Sequence, residues 1–509
     1  MQQYFPLMTR TENLNSEFYE KQLKLISAGQ KELNIVRPAT PSDGISLIDD
    51  HSEYLELYKS AVMTGRIMKF VPSSGAATRM AKSLLRISKK FKSIDELEQL
   101  VEAGNKDAIF AHEFIHGIHK FSFFDDLNSI LSENGTSLDE LLEQKNYTEI
   151  FNYVLGEKGL NLARIPKALL HFHSYGDEHR TAFEEQVFEG ISVFSDVKNN
   201  VTIHFTIAEV YEELFKKEES YLFGKYKNNN FDISYSVQDH LTHSIALNEQ
   251  NELYMVDDKP LLHPSGHGAL LSNLDRIDAD IVHIKNIDNL PRTDKDTQSF
   301  LYKKLLVGYL VKRQKQVFYY LDLIENSELS EEVITSTERF VEKELNFVIR
   351  DSYKNYSLKL KRSFLLNLLD RPIRVCGMVR NTGEPGGGPF WVKDPEGNIN
   401  LQIVEQSQIT EDQKELLKTA THFNPVDMVC AVRNHKGIKY NLFDFCDNDS
   451  YIISKKSYNG DEIKIFENPG LWNGSMAYWN TFFVEVPDST FAPVKEVNDL
   501  LKSVHQPAN

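Results

Sequence analysis

Apolar residues recur at helical spacing through residues 1–65 (Leu23, Leu25 and Ile26, then Leu55, Leu57 and Val62), interrupted by a loop at 38–43. Residues 67–71 read as a short buried strand. The small residues 73–77 form a turn, and the pattern from Thr78 onward (Arg79, Met80, Lys82, Leu84, Leu85) predicts a helix. From 81 to 160 the spacing is helical throughout and no strand is expected. Beyond that, strands at 201–206, 232–237 and 281–284 alternate with helices at 180–194 and 209–215, as in a parallel α/β sheet. Residues 297–370 are helical and heavily charged, reading as a solvated face over an apolar stripe. Strands return at 375–379 and 401–404, flanking a glycine run at 382–388 that reads as a hairpin tip or a backbone-lined loop.

Composition narrows this picture. The 509 residues are 41% hydrophobic and 26% charged, enough to bury a full core in a large α/β domain with insertions. A net charge of −17 argues against a nucleic-acid partner, so any phosphate site must be a local basic pocket. Three cysteines lack CxxC spacing, and no apolar run approaches membrane-spanning length. A cytoplasmic protein with no membrane partner is expected; the oligomeric state is not readable.

Two stretches carry candidate chemistry by residue type alone. Strand, small-residue turn and helix start, at 67–80, would present backbone N–H groups to an anion, with Arg79 adding a charge-assisted bond. The strand at 281–284 ends in Lys285-Asn286-Ile287-Asp288-Asn289, where open α/β sheets place ligands. A carboxylate there suits Mg²⁺ on phosphate oxygens, and an Asx turn at a strand end is the equal alternative. His112-Glu113-Phe114-Ile115-His116 has the spacing of a zinc-protease helix. It lacks a third ligand at a recognised spacing and lies among Phe110, Phe114, Phe121, Phe123 and Phe124, so it is read as a packed helical face.

Several stretches, in this order, resemble the UDP-sugar pyrophosphorylases of the nucleotidyltransferase superfamily. Ser74-Gly75-Ala76-Ala77-Thr78-Arg79-Met80 is similar to their G-G-x-G-T-R-M turn, with two of its three glycines replaced. Pro166-Lys167 resembles the P-K that completes the signature, here displaced by the helical insertion. Gln238 resembles the glutamine that reads the uracil edge, and Pro264-Ser265-Gly266-His267-Gly268 the P-x-G-H-G turn beneath the base. Ile287-Asp288-Asn289 is similar to the V-D-N whose aspartate lies by metal and phosphates. The stretch from Ile403 to Ile409 resembles V-V-E-Y-S-E-I, placing Glu405 on sugar hydroxyls, and 491–495 resembles F-x-P-V-K, whose lysine is Lys495. Within the superfamily the chain looks most like an uncharacterised bacterial family.

The resemblance implies a Rossmann-like, GT-A-like fold: a mixed, mostly parallel sheet with helices on both faces. It implies an N-terminal helical segment (1–66), a catalytic domain (67–80 and 161–509) and a helical insertion (81–160) that could serve as a lid. It implies uridylyl transfer between UTP and a sugar 1-phosphate with Mg²⁺ as cofactor. Arg79, Lys167 and Lys495 would then supply positive charge. A glycosyltransferase of the same fold and a nucleotide-sugar-binding protein without catalysis are the competing readings; the first lacks a D-x-D motif at the expected strand end.

Overall fold

A computed structural model describes residues 16–507 apart from 76, 92, 240, 241, 295, 296, 382, 384, 385, 459 and 460. The fold is mixed α/β, with a mostly parallel central sheet and many helices. The chain forms two compact units: residues 1–68, 237–284 and 304–486 in the first, 69–236, 285–303 and 487–509 in the second. No described helix is long and apolar enough to cross a membrane.

In the first unit, the strand Ile373–Arg380 pairs in parallel with Asn480–Glu485, which pairs in parallel with Gly44–Ser46. On its other side Ile373–Arg380 pairs antiparallel with Asp427–Ala431. These strands are buried along nearly their whole length, which explains their continuous apolar runs rather than an alternating pattern. The helix Thr297–Asn326 buries Leu305, Leu306, Val307, Leu310 and Val311, more than one stripe. Gly308 is required there, because a Cβ would stand 1.9 Å from the Tyr54 carbonyl oxygen. The loop expected at 38–43 instead holds short strands, Asn34–Pro38, Thr40–Pro41 and Gly44–Ser46. The glycine run at 382–388, read as a hairpin tip or a backbone-lined loop, also differs. Gly387 and Gly388 lie buried in the strand Gly387–Lys393, paired with Glu405 and Val404, while positions 382, 384 and 385 fall outside the described residues.

The second unit contains the strands Ile67–Pro72 (from Lys69 onward), Asn200–Ile207 and Asn230–Val237, neighbours in that order. The helix Ala182–Phe194 is buried over most of its surface and packs Phe183 on Phe205 at 4.5 Å. Helices fill the run from 82 to 155. Ser93, Asn105, Ser137 and Asn146 cap four of them through side-chain acceptors, each a local start signal worth about 1 kcal/mol. Phe114, Phe121 and Phe151 form the aromatic centre of this helical run.

Candidate functional site

The motif residues gather in two clusters, one in each unit. In the second unit, the strand Ile67–Pro72 opens into the small-residue turn. Ala77–Arg79 is a single 3₁₀ turn, and the α-helix begins only at Lys82. The predicted helix start is therefore later than Thr78. Ser74 is half-buried, Gly75, Thr78 and Arg79 are exposed, and Ala77 is buried; Ala76 lies outside the described residues. A Cβ on Gly75 would meet nothing within 4 Å, so the backbone there is open to approach.

The two halves of the split signature meet. Lys167 N–H donates to the Gly75 carbonyl at 3.2 Å, Ala77 N–H to that of Ile165 at 3.0 Å, and the Thr78 hydroxyl to that of Ala163 at 2.8 Å. Residues 81–160 thus leave and return at one point. Pro166 holds extended backbone immediately before the 3₁₀ turn Lys167–Leu169, which starts the lysine off a fixed base.

Lys167 Nζ donates to Asp288 Oδ2 at 2.6 Å, with the two side chains 13% and 26% exposed. At that depth the pair is screened less than a surface ion pair, yet solvent still reaches it. The loop carrying Asp288 is tied on two sides. Val494 N–H donates to the Asp288 carbonyl at 2.9 Å, and Ala492 N–H to Asn289 Oδ1 at 2.8 Å. Beneath it, Gln186 Nε2 donates to the carbonyls of Asn286 and Ile287 at 3.0 and 3.3 Å. Lys495 immediately follows this clamp and is exposed, its N–H bonded to Asp499 Oδ2 at 2.7 Å. Lys167, Asp288 and the segment reaching Lys495 are thus brought together; Arg79, exposed and four residues after Gly75, lies in the same unit.

Below the loop lies a charged core that sequence reading missed. Glu189, nearly fully buried, stands 2.9 Å from Lys69, 2.8 Å from Lys285 and 3.2 Å from Lys303. Burial pushes the Lys69 ammonium down to about 8, against the attraction of Glu189. Lys303, read from its neighbours as a solvated charge, is 1% exposed. A lysine's letter carries no sign of its partner, and here the partner lies far away in the chain.

The second cluster belongs to the first unit. Gly266 and Gly268 are fixed by close approach: a Cβ on Gly266 would sit 2.1 Å from Glu467 Oε2, and one on Gly268 would sit 2.3 Å from the Pro469 carbonyl oxygen. Between them, His267 Nδ1 accepts the Leu471 N–H at 2.9 Å, so its proton is on Nε2, which donates to Glu405 Oε1 at 2.9 Å. The ring stacks on Trp472, centroids 4.0 Å apart and planes 8° from parallel. Gln238 Nε2 donates to Thr242 Oγ1 at 3.3 Å and approaches the Ser265 carbonyl at 3.5 Å. Burial drives the Glu467 carboxyl up, but Ser454 and Lys456 outweigh it and hold the group below its ordinary value. Trp472 and Glu467 had no signal in the sequence, because neither falls in a recognised motif.

The paired histidines of H-E-x-x-H, His112 and His116, lie on the helix Lys106–His116 with ring centroids 4.0 Å apart. Among the described residues no group of three or more His, Cys, Asp or Glu is placed to hold a metal ion. Asp288 offers one carboxylate, joined to Lys167 through Oδ2. Mg²⁺ commonly takes one or two protein carboxylates and completes its shell with water and substrate phosphates, so this donor set fits it.

A comparison with curated proteins finds no match. Among solved structures, the chain is similar to a UDP-N-acetylglucosamine pyrophosphorylase from Trypanosoma brucei in complex with inhibitor. The identity is 11% and the TM-score 0.45, covering 95% of this chain and 74% of that one. It is also similar to a UDP-glucose phosphorylase from Trypanosoma brucei (12%, 0.44, 96% and 77%). A third is a variant UDP-glucose pyrophosphorylase from Leishmania major in complex with UDP-glucose (11%, 0.42, 95% and 74%). A family model described as a domain of unknown function (DUF4301) matches residues 7–506, and the chain belongs to that family.

Proposed function

We propose that this protein is a nucleotidyltransferase that moves a uridylyl group between UTP and a sugar 1-phosphate with Mg²⁺. The observation that carries the reading is the joining of Gly75 to Lys167 across the insertion, with Lys167 on Asp288. In the synthetic direction a phosphate oxygen of the sugar 1-phosphate bonds to the α-phosphorus of UTP. The bond from that phosphorus to the bridging oxygen breaks, and pyrophosphate leaves. No side-chain nucleophile is needed; positioning and neutralisation of developing charge do the chemistry.

The phosphate-side roles fall on the second unit. Backbone N–H groups of Ser74, Gly75 and Thr78 and the Arg79, Lys167 and Lys495 cations hold phosphate oxygens, whereas the Ala77 N–H is taken by the Ile165 carbonyl; Asp288 is the residue that would bind Mg²⁺. When bound, Mg²⁺ supplies charge neutralisation on those oxygens. The base- and sugar-side roles fall on the first unit: Gln238 for the uracil edge, the Gly266-His267-Gly268 turn for the base, Glu405 for sugar hydroxyls. The Lys167–Asp288 pair supports the reading because it keeps both charges poised and hydrogen-bonded before substrate arrives.

The test incubates the full-length protein with UTP, Mg²⁺ and a panel of sugar 1-phosphates and measures pyrophosphate. Release with one sugar supports the proposal. Formation of UDP from a UDP-sugar would instead identify a glycosyltransferase, and saturable binding without turnover a nucleotide-sugar-binding protein.

A further inference from the structure

Arg374 lies on the strand Ile373–Arg380 of the first unit and is fully buried. The strand register sets it opposite Thr481 on one side and Cys430 on the other. A guanidinium stays protonated, so this position holds a positive charge in the interior. No carboxylate among the described residues neutralises it. The ionisable groups near it are the thiols of Cys376 and Cys430. Burial pushes both thiols up, Cys376 to about 11, and keeps them neutral. A buried charge with no opposite charge is costly, and an apolar side chain of similar length would avoid that cost. Stability alone does not account for Arg374.

Its hydrogen bonds lead to the base- and sugar-side cluster. Arg374 Nε donates to Thr481 Oγ1 at 2.9 Å, whose own proton goes to the Trp479 carbonyl at 3.2 Å. Arg374 Nη1 donates to the Trp472 carbonyl at 2.6 Å. No backbone N–H reaches that carbonyl among the described residues, so the guanidinium is its donor. One residue earlier, the Leu471 N–H is held by His267 Nδ1 at 2.9 Å. Trp472 is thus held from both sides. Its indole stacks on His267 with planes 8° from parallel, and His267 Nε2 donates to Glu405 Oε1. Next along, Asn473 Nδ2 donates to the Ile403 carbonyl at 3.0 Å, two residues before Glu405.

We propose that Arg374 is a positioning residue for this cluster. Its guanidinium pins the Trp472 backbone, the indole holds the His267 ring in plane, and His267 orients the Glu405 carboxylate. What the cluster binds rests on the uridylyl-transfer reading; how Arg374 holds it does not. Losing the pin should weaken substrate binding without slowing the chemistry, because the phosphate-side residues belong to the other unit.

The test compares full-length wild type with Arg374→Met and Trp472→Leu. Without substrate, the His267 ring protons report the indole, since a parallel aromatic ring moves their resonances upfield. Arg374→Met should shift these resonances toward their positions in Trp472→Leu, with a melting temperature close to or above that of wild type. Activity is then measured with UTP, Mg²⁺ and the sugar 1-phosphate that supports pyrophosphate release. In Arg374→Met the KM for the sugar phosphate should rise about tenfold, while kcat changes by less than about twofold. Trp472→Leu should raise KM alike, and Arg374→Met added to it should raise KM no further. Should Arg374→Met not fold, Arg374→Lys keeps the charge without the fork and is read in the same way. His267 resonances that stay in place in a folded Arg374 variant would overturn the proposal. So would KM effects of the two substitutions that simply add, or a kcat that falls while KM holds. The ring-proton readout needs no substrate, so its failure is distinct from failure of the transfer reading.

Discussion

Lys167 and Asp288 are separated by 121 positions in the chain and by 2.6 Å in space, Nζ to Oδ2. The pair sits where the backbone of the small-residue turn, through Gly75, is bonded to Lys167 itself. If the transfer reading holds, Lys167→Ala should lower kcat by about 10²–10³, the scale for losing one preorganised donor. Because the pair is partly solvated, the same substitution should cost folding only about 1 kcal/mol. Pyrophosphate release and urea denaturation, run on the same preparation, check the two effects. A variant slowed by that factor and destabilised by no more than about 1 kcal/mol is the expected outcome; full activity would remove Lys167 from the chemistry.

Glu189 holds the buried lysines 69, 285 and 303 within 3.2 Å. Glu189→Gln keeps the volume and removes the charge, leaving buried ammonium groups poorly compensated. Breaking a buried pair from one side costs about 3–5 kcal/mol. Denaturation midpoints should fall accordingly, and a midpoint unchanged from wild type would show that the lysines are neutral in the fold.

Much of the architecture is legible because apolar runs and caps act locally. The strand Ile281–Lys285, the helices from 82 to 155 and the Asn200–Ile207 strand sit within a few residues of their apolar patterns. The turn at 74–80 and the Pro166-Lys167 pair stand out in the sequence because each is a short stretch of constrained backbone, and the structure bonds one to the other. What could not be read depends on partners distant in sequence. Lys303 looks like any charged helix position until Glu189 is beside it, and Trp472 gains meaning only as the ring under His267. The glycines at 387 and 388 mislead for a related reason. Clustered glycines suggest a tip, whereas a Cβ on Gly387 would stand 2.6 Å from Ile403 Cγ2, so close strand packing is what demands it.

Gly268 offers a test of the first-unit cluster by itself. A Cβ there would stand 2.3 Å from the Pro469 carbonyl and 2.5 Å from that of Asn468, backbone atoms that cannot swing aside. Gly268→Ala should therefore destabilise by about 1–3 kcal/mol, as other overpacked sites do. It should also displace Trp472 from His267, read as a change in tryptophan fluorescence. An alanine variant with wild-type melting temperature and fluorescence would contradict the geometry.

His204 sets a pH dependence. Its ring is held between the hydroxyls of Ser234 and Ser236 at 2.8 and 2.7 Å and stacks on Phe70. Burial pushes it down from 6.5 to about 4. Between those values the unfolded chain binds a proton that the folded chain refuses, so stability rises with pH across the window. Acidification from pH 6.5 to 4 should cost about 2–3 kcal/mol through this group. The difference in unfolding free energy between wild type and His204→Gln should narrow as pH falls, and a pH-independent difference would contradict the assignment.

The helical insertion is anchored to the segment that follows Lys495, and this shapes how it could respond to nucleotide. Asn498 Nδ2 donates to the Phe110 carbonyl at 2.9 Å, and Gly117 lies against Leu501, where a Cβ would come within 2.7 Å. Met80, at the insertion's start, accepts from Val497 N–H at 3.3 Å. A lid that closed by itself would have to break these contacts. A lid that closed with residues 491–501 would carry Lys495 along and keep them. The second motion is cheaper, so UTP with Mg²⁺ should slow hydrogen exchange in residues 106–117 and 491–501 together, to similar degrees. Asn498→Ala removes the side-chain bonds to the Phe110 carbonyl and, at 3.4 Å, to Glu113 Oε2, a loss of about 1 kcal/mol, and should uncouple the two responses. Protection confined to 106–117 in the wild type would show that the insertion moves alone.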